Sequence, residues 1–233
     1  YRQLHGNSIG ENSEMQGEQG ITLNLSGSLS KHWQLLAMAD WFHFGQPQYQ
    51  EENPTDGFET LLRGIYSRSW GTFSLGYKTK YRKENYRHSI DGVIAVNLNK
   101  NILSKTQIRK RISKDESTSQ GFAIAQALGY KSNLTKSTSI NLEMQAANFD
   151  TDDYNTRIYI NEKNILYGFG YPMLYGKGVR YNITCNLKLG TRWNIDMKYA
   201  LSNYANKNTL SSGLQEIQGN TQQDLWLQLR LTY

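Results

Sequence analysis

Leu225-Trp226-Leu227-Gln228-Leu229-Arg230-Leu231-Thr232-Tyr233 is the stretch that decides the fold. Leu225, Leu227, Leu229, Leu231 and Tyr233 fall on one side of an extended chain, and Trp226, Gln228, Arg230 and Thr232 on the other. Successive strand side chains point to opposite faces, so this segment is a strand with one greasy and one wet side. The same period of two runs back through the sequence. Val179, Tyr181, Ile183, Cys185, Leu187 and Leu189 oppose Arg180, Asn182, Thr184, Asn186 and Lys188; Trp193, Ile195, Met197 and Tyr199 oppose Asn194, Asp196 and Lys198. Phe73, Leu75, Tyr77 and Tyr81 oppose Thr72, Ser74, Lys78 and Lys80, and Ile21, Leu23 and Leu25 oppose Thr22, Asn24 and Ser26.

Segment length discriminates next. A strand of a water-soluble domain usually has about 5–6 residues, whereas a tilted membrane strand needs roughly 9–11. Many of these alternating runs have nine residues or more. The connections also alternate. Short ones lie near 30–32, 68–71, 99–101, 132–135 and 190–191, and long polar ones near 46–57, 82–89, 114–118, 148–154, 171–178 and 205–221. Short turns on one side and longer loops on the other mark an outer-membrane barrel. Trp33, Trp70 and Trp193 stand beside short turns and Tyr233 ends the last strand, which suits an aromatic girdle at the headgroup layer. A soluble sandwich also alternates, but its strands are shorter and its loops show no such rhythm.

Composition agrees. Mean hydropathy is −0.67, and no apolar run approaches the roughly 20 residues of a membrane helix. Barrel strands are apolar only at every second position, so low hydropathy does not exclude them. The single cysteine, Cys185, excludes an internal disulfide framework and a cysteine-based zinc site. The net charge of +6 suits anionic lipid, nucleic acid or an anion-conducting lumen alike.

The expected fold is therefore all-β, a transmembrane antiparallel up-and-down barrel occupying residues 1–233, with residues 1–19 as an external loop or truncated strand. About thirteen strands are expected, the ninth at 155–161 and the tenth at 165–170. Bacterial single-chain barrels have even strand numbers, so an odd count predicts an N-terminally incomplete barrel, located in the bacterial outer membrane.

Residues 157–166, Arg-Ile-Tyr-Ile-Asn-Glu-Lys-Asn-Ile-Leu, and 172–181, Pro-Met-Leu-Tyr-Gly-Lys-Gly-Val-Arg-Tyr, carry a resemblance. With Phe149–Tyr154 and Ser212–Asn220, the chain resembles the C-terminal barrel of Bacteroidota outer-membrane proteins that bear an N-terminal helix-hairpin-helix (ComEA-like) domain. It departs from that pattern at Asn161, where an aromatic residue is expected. The resemblance implies an outer-membrane location. It carries nucleic-acid binding to no residue here, because the helix-hairpin-helix part has no counterpart in this sequence.

Two groups of residues invite a role. Arg157, Glu162, Lys177 and Arg180 can form a lumen gate of paired charges, or a network that merely supports the wall. Lys78, Lys80 and Arg82, with Arg109 and Arg111, form a basic rim able to meet lipopolysaccharide phosphate or guide an anionic solute. Asp150, Asp152 and Asp153 raise a calcium reading, but the loop lacks the EF-hand spacing, and a turn is the better account. No Walker loop, His-Glu-x-x-His, dinucleotide fingerprint or Gly-x-Ser-x-Gly occurs. His43 has an outward register but no identifiable serine partner. The function expected is a non-enzymatic barrel without cofactor or metal, a channel or the membrane component of a transport assembly. A non-conducting docking scaffold is the alternative and a lipid hydrolase the lesser one. Expected partners are outer-membrane lipid and lipopolysaccharide, then protein subunits of an assembly.

Overall fold

The computed structural model describes residues 17–47, 53–168, 170–211 and 213–232. Tyr233 and residues 1–16 therefore lie outside the described residues. Eleven long strands form one sheet: β1 (Glu18–Ser28), β2 (Trp33–Phe44), β3 (Thr55–Arg68), β4 (Gly71–Arg82), β5 (Asn85–Asn97), β6 (Ile102–Lys114), β7 (Thr118–Asn133), β8 (Ser139–Thr151), β11 (Lys177–Leu189), β12 (Trp193–Tyr204) and β15 (Thr221–Leu231). Two-residue pairs complete the set, β9 (Ile158–Tyr159) with β10 (Met173–Leu174) and β13 (Thr209–Leu210) with β14 (Ile217–Gln218). Every long strand pairs antiparallel with its nearest long neighbour in sequence. β1 and β15 are the two edges of the sheet.

Residues opposite one another in an antiparallel ladder share a face. From Gln107 the register runs through Val93, Ser74 and Ile65 to Gln34 in one direction. In the other it runs through Ala125, Ala147, Arg180 and Ser202 to Gln222. Gln107, Ala125, Ala147, Arg180 and Ser202 are all buried, which marks this face as the concave one. The opposite face is apolar and uncovered: Ile21 is 72% exposed, Leu225 71% and Leu227 69%. Apolar surface on this scale belongs against lipid. The protein is an all-β, up-and-down antiparallel sheet of the transmembrane barrel class.

Two aromatic rows frame the outer face. Trp33, Tyr66 and Phe73 are opposed on β2–β4 near the short turns, and Trp41, Phe58 and Tyr81 are opposed on the same strands near the long loops. On each strand the two rows are eight residues apart (41 − 33, 66 − 58, 81 − 73). At about 3.3 Å per residue this is roughly 26 Å of strand, or about 20 Å of height after a barrel's tilt. That matches the apolar band of an outer-membrane barrel, roughly 25 Å tall between its aromatic girdles. Trp33, Trp70 and Trp193, at 45%, 54% and 44% exposed, lie at the short-turn end as expected.

Three expectations need correction. Segments 155–161 and 165–170 do not span: among the described residues the strand there is the two-residue Ile158–Tyr159, and the chain between β8 and β11 folds inward instead. Among the described residues the main sheet therefore has eleven strands, where about thirteen spanning segments are expected. The connection read as a long loop over 82–89 is a two-residue turn, Lys83–Glu84, and that over 114–118 shrinks to 115–117. Arg87 and Ser89 are polar because they face the concave side of β5, so hydrophilicity here does not signal a loop.

Lys83 and Glu84 hold φ of 51° and 60°, the left-handed pair that a type I′ hairpin requires and that Asn-Gly adopts with least strain. Lys83→Asn with Glu84→Gly is expected to stabilise the β4–β5 hairpin by about 1 kcal/mol. The midpoint of urea unfolding in lipid vesicles reads this, and a midpoint at or below the wild-type value would contradict the turn assignment.

Candidate functional site

The inward segment begins at a tight cap. Asp153 accepts a hydrogen bond from the Thr156 backbone N–H at 3.0 Å, while the Asp153 N–H donates to Thr156 Oγ1 at 3.3 Å. Burial alone would raise the Asp153 pKa; hydrogen bonds from Ser119 and Thr156 outweigh it and hold the carboxyl below its ordinary value. Thr156 is fully buried beside Gly121 on β7, where any Cβ would stand 2.3 Å from the Thr156 carbonyl oxygen. Only glycine lets the segment approach this wall so closely.

From there the chain lies along the concave face as a plug. Ile158, Ile160 and Leu174, each at most 1% exposed, pack on Ala123, Ala125, Ala147 and Phe149 of β7 and β8. Small wall residues make the room that the large plug residues fill. Gln107 on β6 then clamps Asn161 twice, donating to its carbonyl at 2.6 Å and accepting from its N–H at 3.1 Å. The next residue, Glu162, reaches β11 and β12. Its carboxylate accepts two bonds from Arg180, at 2.8 and 2.9 Å, and one from Lys198 at 2.6 Å. β6 and β12 are four strand spacings apart, roughly 19 Å along the sheet. Adjacent residues touch both because the sheet curls around them.

Glu162 is 4% exposed. Burial pushes its pKa up, but the bonds and charges of Arg180 and Lys198 prevail, and the carboxyl sits below its ordinary value. Arg180 also donates to Ser202 Oγ at 2.8 Å. Lys163 donates to Asn141 on β8 at 2.5 Å, while its carbonyl accepts from Asn182 and Thr184. Burial lowers the Lys163 pKa, against the raising influence of Glu143, Cys185 and Asp196.

Of the four residues expected to form a gate, the structure brings together only Glu162 and Arg180. Arg157 lies over the Tyr154 ring at 4.1 Å and donates to the Tyr154 carbonyl at 2.7 Å. Lys177 pairs with Asp150 at 2.8 Å on the exposed flank. Closeness in sequence associates both with Glu162, but it does not fix closeness across a folded-in loop. Lys198 was missed. It occupies a polar-face position opposite Thr184 and Trp226, neither of which can neutralise it. A buried lysine so placed is the signal for a carboxylate arriving from elsewhere.

The basic rim residues stand on the concave face. Lys78 and Lys80 flank Glu59 at 2.6 and 3.5 Å, and Arg109 and Arg111 flank Asp91 at 2.9 and 2.8 Å. Arg82 lies over Phe44 at 5.0 Å and Lys80 over Phe42 at 5.6 Å. Arg63 and Arg87 share this face by register, so β3–β6 form a basic wall. Asp150, Asp152 and Asp153 do not converge: Asp150 binds Lys177, Asp152 accepts from the Gln120 N–H at 2.7 Å and Asp153 caps the turn. No cluster able to hold a metal ion occurs among the described residues.

His43 faces outward, 2.9 Å from Asp56 and stacked beside Trp41. Its cross-strand neighbours are Gln19 and Asp56, so no hydroxyl nucleophile adjoins it in the ladder.

No family model and no curated protein matches this chain. Among solved structures it is similar to the KdgM porin in complex with disordered oligogalacturonate, at 11% identity and a TM-score of 0.34, over 79% of this chain and 87% of that one. It is similar also to LpxR from Salmonella typhimurium, at 8% identity and a TM-score of 0.34, over 92% of this chain and 88% of that one. The architecture described above stands on this chain's own register and exposure.

Proposed function

We propose that the protein is a non-enzymatic outer-membrane barrel that serves as a channel, or as the membrane component of a transport assembly, constricted by the segment between β8 and β11. One observation carries this reading: a charged, hydrated wall on β3–β6 coexists with a plug fixed to the β6–β12 side. Side-chain exposure of 41% at Lys78 and 27% at Lys80 keeps that wall in water. A barrel interior lined in this way suits a permeant rather than a packed core. Membership of the helix-hairpin-helix barrel family is part of the proposal; Glu162 and Arg180, which hold the plug, lie within the two stretches that carry the resemblance.

The test is reconstitution of the full protein in planar bilayers. Discrete conductance steps are expected, and complete electrical silence would remove the channel reading. The dry packing of Ile158, Ile160 and Leu174 supports a second reading, a plugged scaffold on which partners dock. Silence together with a reproducibly copurifying subunit would favour it.

A further inference from the structure

We propose that the space between the plug and the β3–β6 wall binds multivalent anions and selects them over cations. This rests on the channel reading above and gives its permeant a chemical class. Each carboxylate on the wall lies between two cations, Glu59 between Lys78 and Lys80 and Asp91 between Arg109 and Arg111. The Asp91 cluster therefore keeps one positive charge in surplus. Arg63 and Arg87 add to it. Arg63 has no carboxylate partner among the described residues and lies across Gly76, whose missing side chain leaves the guanidinium its room. Arg87 donates to the amide oxygen of Asn155 at 3.4 Å and forms no direct ion pair among the described residues, though Asp153 and Asp115 lie within electrostatic reach.

The plug does not offset this charge. Its acid, Glu162, is turned toward β11 and β12 and bound by two cations. The side turned from β7 and β8 carries Tyr159 and Tyr171, 41% and 46% exposed, with Asn161 donating to the Tyr171 hydroxyl at 2.9 Å. Asp40 on β2 accepts from Thr22 and Asp153 caps the plug's first turn; both keep their negative charge, but Arg63, Arg87 and the surplus cation beside Asp91 outnumber them. Fixed surplus cations within a Debye length of the path, about 10 Å at 0.1 M salt, raise the local concentration of anions and exclude cations.

The experiment uses the full protein under a tenfold potassium chloride gradient. The reversal potential is expected to show a several-fold preference for chloride. Arg63→Gln with Arg87→Gln should move it toward unity, while Lys110→Gln, on the outer face of β6, should leave it unchanged. Calorimetry on the detergent-solubilised protein with inorganic tripolyphosphate, and separately with citrate, should show salt-dependent binding that the double variant loses. The two ligands distinguish phosphate from carboxylate. Electrical silence with retained binding overturns the channel reading alone. Cation preference, or binding untouched by the double variant, overturns the anion site.

Discussion

Glu162→Ala is expected to destabilise the closed plug by about 3–5 kcal/mol, because it leaves Arg180 and Lys198 as buried cations without a counter-charge. Lys198 is 2% exposed and Arg180 8%, so neither can turn to water without dragging its strand environment with it. Limited proteolysis in lipid vesicles reads the effect: the variant should be cut between Ile158 and Met173 under conditions that leave the wild type intact. Equal resistance in both would show that the latch holds nothing. A triple variant, Glu162→Leu with Arg180→Leu and Lys198→Met, should be cut far less than Glu162→Ala, since an apolar replacement of the whole set leaves no orphan charge. Acid should act in the same direction. The Glu162 carboxyl is held below its ordinary value of 4.5, so its stabilising contribution is complete above that pH. The contribution is lost as pH falls through the depressed value of the folded protein. Proteolytic release of the wild-type plug should therefore set in only below pH about 4.5.

The second large effect is expected on the apolar side of the plug. Ile160→Asp places a carboxylate against Ala123, Ala125 and Phe149, where the neighbouring cations of the ladder, Arg109 opposite Ala123 and Arg180 opposite Ala147, are already held by Asp91 and Glu162. Loss of the isoleucine alone costs about 2–5 kcal/mol, and the unpaired charge adds several more. The displaced segment would move into water inside the barrel rather than into lipid, so the hydrophobic effect governs this contact as it does in a soluble protein. In bilayers the variant should show larger and noisier conductance than the wild type, and Ile160→Val should behave like the wild type. Unchanged conductance for Ile160→Asp would mean that the segment does not narrow the path.

What the sequence reveals follows from where the physics is periodic. Leu225–Leu231, Ile183 and Met197 could be placed on the lipid face because lipid demands an apolar side chain at every second position. Inside the barrel no such demand exists, and there the reading loses its grip. Tyr86–Ser89 looked like loop because water-facing Arg87 and Ser89 interrupt an already polar run. Ile158 and Ile160 alternate as a membrane strand does, but their apolar side meets the wall of the barrel, and two paired residues are too few to cross a bilayer. The Glu162–Arg180 pair was legible as charges near one another in sequence. Lys198 and Gln107 were not, because each meets the plug across the curled sheet and neither contact follows from strand register.

The plug is tied to strands on both sides of it in the chain. Its apolar anchors and its Gln107 clamp lie on β6–β8, which precede it; its ionic latch lies on β11 and β12, which follow it. Glu162 is separated from Arg180 by 18 positions and from Lys198 by 36. During assembly the segment can lean on the wall as soon as β7 and β8 are paired, but it is locked only once β12 has joined. In the proposed channel the closed plug is thus a checkpoint in time as well as a constriction in space, made fast by the strands that arrive after it.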